Sequence, residues 1–448
     1  MERTFLIIIV FIGIGMAVLM SAINGTWRAT SFSDYHDDAE IYNTTALLIL
    51  EKHSFGEEGR GFVGAFRRSP GYPIFLAFSY ALLGKTPFAA FFMQALILIL
   101  SLFLLWSLAG IYFPYPYRLL PPLFLALSWF ITLQVTIILP ELFTLFLLLF
   151  FLWSLFQFFD SRRRGYLGGA GGALAWFILI KPVALYILPF ILAIVIAREY
   201  ARASFLQLGF TLGLLLVIPF MSIGAWTIRS VSLFHTWQIQ SGSYVIAWKS
   251  LEAAASWRRV AASFVGGLVG DFTADRILPG YADNPDPHLY VKATFDHMRA
   301  LGAQGLSEAK REAILYQEAR ERIIANPVKF LVAGITGLLR QNTPMNHRGE
   351  AITHARQNLA VLLVIRLIGY ALLALILYGA FLHWRDWHTW GFVLIWFICY
   401  NLLYGFFTHN EARYMIPLWP LYFLLLTAAL ARIFSLYGKR LRTPLSQS

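Results

Sequence analysis

The chain is short of charge and almost without cysteine. Only 13% of its residues are Asp, Glu, Lys or Arg, against about a quarter in a soluble globular domain. That shortage excludes an ordinary water-soluble protein. The single cysteine, Cys399, sits in an apolar run, so there is no intrachain disulfide and no cysteine-based metal centre. The sequence has no internal repeat, no low-complexity tract and no independent soluble domain. Its net charge is +12, yet no basic run carries the aromatic interleaving of a nucleic-acid site. Nucleic acid is therefore not an expected partner.

What the chain does have is apolar length. Hydrophobic residues make up 58% of it, aromatics 17% with 14 Trp, and the mean hydropathy is +0.63. These values predict an all-α polytopic membrane protein with interfacial aromatic belts. A span needs about 20 apolar residues, and ten stretches qualify or nearly so: 5–23, 88–112, 119–137, 141–158, 166–180, 183–197, 205–226, 359–382, 391–407 and 415–435. The interrupted apolar stretch 328–342 reads as interfacial or re-entrant, which widens the range to ten to thirteen. The first span follows Met1-Glu2-Arg3 and is too long for a signal-peptide core, so it is expected to be retained. Arg118, Arg162 to Arg164, Arg198, Arg385, Lys439 and Arg440 fall on one side of this arrangement. By the positive-inside rule that side is cytoplasmic and holds both termini. Residues 24–87 and 227–358 are then two large outer regions, with 359–435 the C-terminal spans, all within one membrane domain over 1–448.

The first outer region centres on the stretch from Asp34 to Pro73. Asp34, Asp37, Asp38 and Glu40 precede a helical pattern to about Lys52, with Asp38, Tyr42 and Thr45 on one face. Its end is cationic and turn-rich: Arg67-Arg68-Ser69-Pro70-Gly71-Tyr72-Pro73. In the second region the clearest helix is 307–325, with Ala313, Tyr316, Ala319, Ile323 and Ile324 as its apolar stripe. Four further polar groups fall on the outer side: Pro140-Glu141 opening the fourth span, Lys181-Pro182 in a turn, Trp226-Thr227-Ile228-Arg229 closing the seventh span, and His409-Asn410-Glu411-Ala412-Arg413-Tyr414.

Each has a plain structural reading beside the functional one. Asp37, Asp38 and Glu141 suit helix N-termini. Lys181 and Arg229 could snorkel to headgroups, and Tyr72 and Trp226 fit an interfacial belt. His409 has no partner at a metal-binding spacing, and metal dependence stays open. Together on one face, however, cations can hold an anionic headgroup while a carboxylate takes a proton from a nucleophile. Charge at membrane depth is costly and usually functional.

At these residues the chain resembles the GT-C superfamily of polytopic glycosyltransferases. The likeness is to the family 39 type, which includes protein O-mannosyltransferases and lipid A aminoarabinose transferases. The pieces that carry it are Asp38-Ala39-Glu40-Ile41-Tyr42, Arg68-Ser69-Pro70-Gly71-Tyr72-Pro73, Glu141-Leu142-Phe143-Thr144, Lys181-Pro182, Trp226-Thr227-Ile228-Arg229 and Glu411-Ala412-Arg413-Tyr414. Lys181 stands where Arg is frequent in such proteins, and Ser230 where Asn is common. The resemblance implies a GT-C fold and an inverting transferase that uses a polyprenyl-phosphate sugar and acts on a glycan, lipid or protein acceptor. The expected site is the periplasmic face of a cytoplasmic membrane. Asp38 would be the general base, with Asp37 and Glu141 as further catalytic candidates. Lys181, Arg229, Arg413 and Arg68 would bind the donor phosphate, and Tyr42, Tyr72, His409, Glu411 and Tyr414 the substrates. Absence of a large C-terminal domain disfavours the oligosaccharyltransferase branch. An O-antigen ligase or polymerase, or a lipid-linked-sugar transporter, are the rival readings. A transporter would show repeat symmetry and mid-span charges.

The orientation is testable. In a Cys399→Ser background, Ser54→Cys and Gly302→Cys should react with an impermeant thiol reagent in intact spheroplasts, and Ser161→Cys should not. Labelling at Ser161→Cys would overturn the sidedness.

Overall fold

A computed structural model describes residues 2–25, 37–55, 69–200, 203–240, 242–278, 287–342, 358–408 and 411–442. The described residues form helices and no strands, as a chain in hydrocarbon requires when each backbone group must be satisfied within its own segment. The helices are α1 (Glu2–Asn24), α2 (Asp37–Lys52), α3 (Gly71–Leu83), α4 (Pro87–Tyr112), α5 (Leu120–Leu127), α6 (Trp129–Thr132), α7 (Glu141–Ser161), α8 (Gly165–Ile180), α9 (Leu188–Tyr200) and α10 (Phe205–Phe234). Then follow α11 (Ser243–Ala254), α12 (Trp257–Val269), α13 (Asp271–Ile277), α14 (Pro287–Ala303), α15 (Glu308–Ala325), α16 (Pro327–Asn342), α17 (Leu359–His383), α18 (Trp387–Phe407) and α19 (Trp419–Arg442).

Among the described residues seven helices are long and apolar enough to cross a membrane, or up to nine if two bent pairs each count as one. This is a multi-pass membrane protein. Helices α7, α18 and α19 form the centre with α4, and their Leu, Phe and Trp side chains make one continuous apolar core. Helices α1, α10 and α17 lie outside them and turn Phe11, Ile23, Phe220, Met221, Leu367 and Phe381 outward. Apolar side chains so placed suit lipid, which exacts no hydrophobic cost for their exposure.

Three expectations need correction. The stretch 119–137 is not one straight span: it breaks at Ser128, where the two parts bend by 55°. The backbone leaves the helix there (ψ 100°), and the Thr132 hydroxyl takes the Ser128 carbonyl at 3.0 Å. The stretch 205–226 is too short, because α10 runs to Phe234. The motif Trp226 to Arg229 therefore lies within a helix instead of closing one. Third, in α15 Ala313 and Tyr316 face out, while Glu312, Leu315 and Ala319 are buried. Glu312 turns inward because its carboxylate accepts the backbone N–H groups of Gly242 (3.2 Å) and Ser243 (2.9 Å). It thus caps α11 from another helix, meeting the positive end of that helix dipole.

Helices α11, α14 and α15 bury Tyr244, Trp248, Leu315 and Ala319 in a second small core. The chain bends by 104° between α15 and α16, where Asn326-Pro327 stops the helix as expected. Buried charges then fasten α16 to its neighbours. Arg340 pairs with Asp271 at 2.8 Å, and Lys249 meets Glu252 and the Ala333 carbonyl, both at 2.9 Å. Burial pulls the Lys249 ammonium down and Glu252 opposes it; the net direction is down.

Helix α17 touches α19 through a glycine. A Cβ on Gly379 would lie 2.0 Å from the Leu425 carbonyl oxygen, inside any allowed contact. Gly379→Ala should lower the thermal unfolding temperature of the detergent-solubilised protein, at a cost of about 1–3 kcal/mol typical of overpacking. Gly224→Ala, in open space on α10, should leave it unchanged or raise it slightly, since Ala favours helix over Gly by about 1 kcal/mol. Equal behaviour of the two variants would refute the close approach.

Candidate functional site

The site is assembled from helix ends. Tyr80 donates from its hydroxyl to Asn43 Oδ1 at 2.8 Å and so clamps α2 onto α3. The start of α3 is fixed in turn to the end of α8: Ser69 Oγ donates to the Ile180 carbonyl (2.7 Å), and Trp176 Nε1 to the Gly71 carbonyl (2.8 Å). Gly71 permits that contact, since a Cβ there would come within 2.5 Å of the Ile180 side chain and 2.9 Å of the Leu179 backbone. Gln94 works from α4. It accepts from the Tyr72 hydroxyl (3.1 Å) and donates to the carbonyls of Val135 (3.1 Å) and Ile137 (3.0 Å), where the helical segment ends. This holds the lead-in to Pro140 and Glu141.

Glu141 therefore sits at the N-terminus of α7 and Lys181 just past the C-terminus of α8, the signs that the helix dipoles favour. The Lys181 ammonium lies 3.4 Å from Glu141 Oε1, with both side chains nearly buried. The second carboxylate oxygen, Glu141 Oε2, is buried with no hydrogen-bond partner among the described residues. Burial opposes the Lys181 charge, but the oxygens of Tyr404, Glu141 and Tyr42 outweigh it and hold the ammonium above the ordinary lysine range.

Beside this pair, Arg413 Nη2 donates to Asp38 Oδ2 at 2.8 Å, while Arg413 Nε bonds Glu411. Residues 375 apart in sequence are thus joined by one ion pair. Both cations lie close to Tyr414: its ring centre is 4.8 Å from the Lys181 ammonium and 5.3 Å from the Arg413 guanidinium carbon. Tyr404 packs on Tyr414 (5.5 Å), and Tyr42 meets Tyr72 edge-on (5.1 Å). Helix α16 packs on the segment Ala412–Leu418 that carries Arg413, so α16 adjoins the cluster.

Asp38, Glu141, Lys181, Glu411, Arg413 and Tyr414 are thus brought together, with Tyr42 and Tyr72 packed alongside. Arg229 is placed elsewhere. Its guanidinium lies among Trp226 (4.5 Å), Phe55 (5.4 Å) and Phe234 (5.6 Å), and its Nη1 is buried without a hydrogen-bond partner. Arg68 and His409 lie outside the described residues, as does the Asp37 side chain. Among the described residues no group of three or more His, Cys, Asp or Glu side chains is placed to hold a metal ion. The sequence reading missed Tyr404, Gln94 and the Asn43–Tyr80 clamp. Tyr400, Asn401 and Tyr404 on one face of a predicted span were the available signal, since polar groups inside a span call for a reason.

Two comparisons bear on this arrangement. Residues 67–223 match the model of the dolichyl-phosphate-mannose-protein mannosyltransferase family. That stretch includes Tyr72, Glu141 and Lys181. Solved structures of an oligosaccharyltransferase from Archaeoglobus fulgidus share the fold over the whole chain. The archaeal enzyme AglB, in complex with an inhibitory peptide and a dolichol-phosphate, superposes with TM-score 0.52 at 13% identity, and the match covers 100% of this chain and 52% of that one. The chain thus shares its fold with this oligosaccharyltransferase. An apo form gives TM-score 0.53 at 13% identity with the same coverage. A form tethered to an acceptor peptide containing the NVT sequon gives 0.50 at 14%, covering 98% and 50%. The chain spans about half the length of these neighbours. They come from the branch that the sequence reading set aside, and at this identity they speak to the shared fold. No curated protein sequence matches the chain.

The Lys181–Glu141 pair gives a prediction. Removing one partner of a buried ion pair costs about 3–5 kcal/mol, because the other charge is left uncompensated. Lys181→Met should markedly lower the unfolding temperature, and Lys181→Met with Glu141→Gln should recover much of the loss. Additive losses in the double variant would show that the two side chains do not act as a pair.

Proposed function

We propose that this GT-C protein is an inverting glycosyltransferase that moves a sugar from a polyprenyl-phosphate donor to an acceptor hydroxyl at the outer, periplasmic face of a bacterial cytoplasmic membrane. The observation that carries the reading is the assembly of Asp38, Glu141, Glu411, Lys181 and Arg413 at helix ends of one bundle. The family whose model matches residues 67–223 takes its name from a lipid-phosphate-sugar donor, and a solved neighbour carries a dolichol-phosphate; both support this substrate class.

In this reaction Asp38 accepts the proton of the acceptor hydroxyl as its oxygen attacks the anomeric carbon. The bond from that carbon to the phosphate oxygen breaks, and the electron pair leaves with the polyprenyl phosphate. Attack opposite the leaving group inverts the configuration. Lys181 and Arg413 face the phosphate across Tyr414, in a setting where a cation stabilises developing negative charge more than it would in water. Glu141 Oε2, buried and unpartnered, is placed to accept a hydroxyl of the donor sugar, because a buried acceptor left empty is costly until a substrate fills it. Arg229 and Arg68 are the remaining candidates for the phosphate, and the acceptor is a glycan, lipid or protein hydroxyl. The first outer region, 24–87, supplies the base. The second, 227–358, adjoins the site through α16.

Asp38→Asn keeps size and capping ability while removing charge and basicity. With purified protein and a panel of polyprenyl-phosphate sugars, product read by mass spectrometry, transfer should fall at least about a hundredfold, the lower end of general-base contributions. Asp37→Asn should be milder. Near-normal turnover in Asp38→Asn would refute the base assignment, and no transfer from any donor by the unaltered protein would refute the function.

A further inference from the structure

We propose that Arg413 is a shared cation that passes from Asp38 to the donor phosphate, so that the donor must bind before Asp38 is free to serve as a base. The inference rests on the functional reading above.

The described geometry sets up a competition. Arg413 gives Nη2 to Asp38 and Nε to Glu411, two edges of one planar fork. A guanidinium at hydrogen-bond distance stabilises the carboxylate anion and so weakens it as a base. In this arrangement the Asp38 carboxylate is engaged in an ion pair with Arg413. A phosphodiester anion can take the place of the Asp38 carboxylate on this fork, because guanidinium binds phosphate and carboxylate oxygens with the same planar donor geometry. The Tyr414 ring has Lys181 and Arg413 on its flanks, so an anion drawn to Lys181 arrives beside Arg413. The Asp38 and Arg413 side chains are 24% and 21% exposed, so the pair can be reached by an incoming group. Glu411 plays a different part from Asp38. It lies two residues from Arg413 in the same segment and bonds Nε, which lets it tether the guanidinium while Nη2 changes partner. Once Nη2 has moved to the phosphate, the Asp38 carboxylate regains its basicity beside the acceptor hydroxyl. An empty site thereby keeps its base masked, and the acceptor is activated only when a donor is present.

The test uses the full-length protein in nanodiscs with undecaprenyl phosphate, which carries the lipid phosphate and no sugar. Modification of Asp38 by a hydrophobic carbodiimide is followed by mass spectrometry, and binding of the lipid by thermal shift. Undecaprenyl phosphate should raise the modification rate of Asp38 about tenfold or more, since a neighbouring guanidinium moves carboxyl protonation by about one to three powers of ten. Arg413→Gln should react at the fast rate with or without the lipid. Arg413→Lys, which keeps the charge but lacks the planar fork, should fall between and serves if Arg413→Gln does not fold. A thermal shift with unchanged or slower modification of Asp38 overturns the exchange, as does slow modification of both Arg413 variants. If the donor panel still yields product in that case, the functional reading stands without it. Absence of both the shift and any change in modification overturns the exchange and the lipid-phosphate donor together.

Discussion

The Lys181–Glu141 ion pair joins two helix ends that an apolar bundle would otherwise penalise. Each charge sits where a helix dipole favours it, and each neutralises the other where water is scarce. The supports around the pair follow from this need. Ser69 and Trp176 pin α3 to the end of α8, and Gln94 holds the backbone that leads into Glu141. Through Tyr42 and the Asn43–Tyr80 bond the same scaffold positions α2, and with it Asp38.

The second pair, Arg413 with Asp38 and Glu411, is of another kind. It is partly exposed, and it joins the start of α2 to the segment that precedes α19. A partly exposed pair contributes less to stability than a buried one, which makes it suited to exchange. The division gives the site a fixed half, built on α7 and α8, and a half whose partners can change. Two cations among three carboxylates leave the described cluster without surplus positive charge. An incoming phosphate therefore gains most by displacing a carboxylate from a cation.

The membrane character and the positions of α2, α7, α8 and α17 were legible in the sequence, because apolar length and helical spacing report directly on burial in lipid. The number of spans was not, since ten to thirteen were expected and seven, or up to nine, of the described helices are long and apolar enough. Asp38, Glu141, Lys181, Glu411, Arg413 and Tyr414 were legible as candidates because charge at a span end is expensive. The break at Ser128 was not, since the apolar run continues through it and the Thr132 hydroxyl and backbone N–H groups that satisfy the Ser128 carbonyl do not mark it in the hydropathy. Nor was the length of α10, where Arg229 interrupts hydropathy but not helicity. Glu312 looked like one charge on a solvated face, and only the N-terminus of α11 lying opposite explains why it turns inward.

By itself the sequence determined that the chain is helical, lies in a membrane and keeps Glu141, Lys181 and Arg413 close to span ends. These properties follow from local composition and period. Tertiary structure decided which charges meet. Pairing of Asp38 with Arg413, and of Glu141 with Lys181, depends on the close approach of α3 to α8 at Gly71 and on the packing of α16 against Ala412–Leu418. It also separated Arg229 from the other cations and gave it an aromatic surrounding. Such contacts join residues far apart in the chain, and no local pattern encodes them.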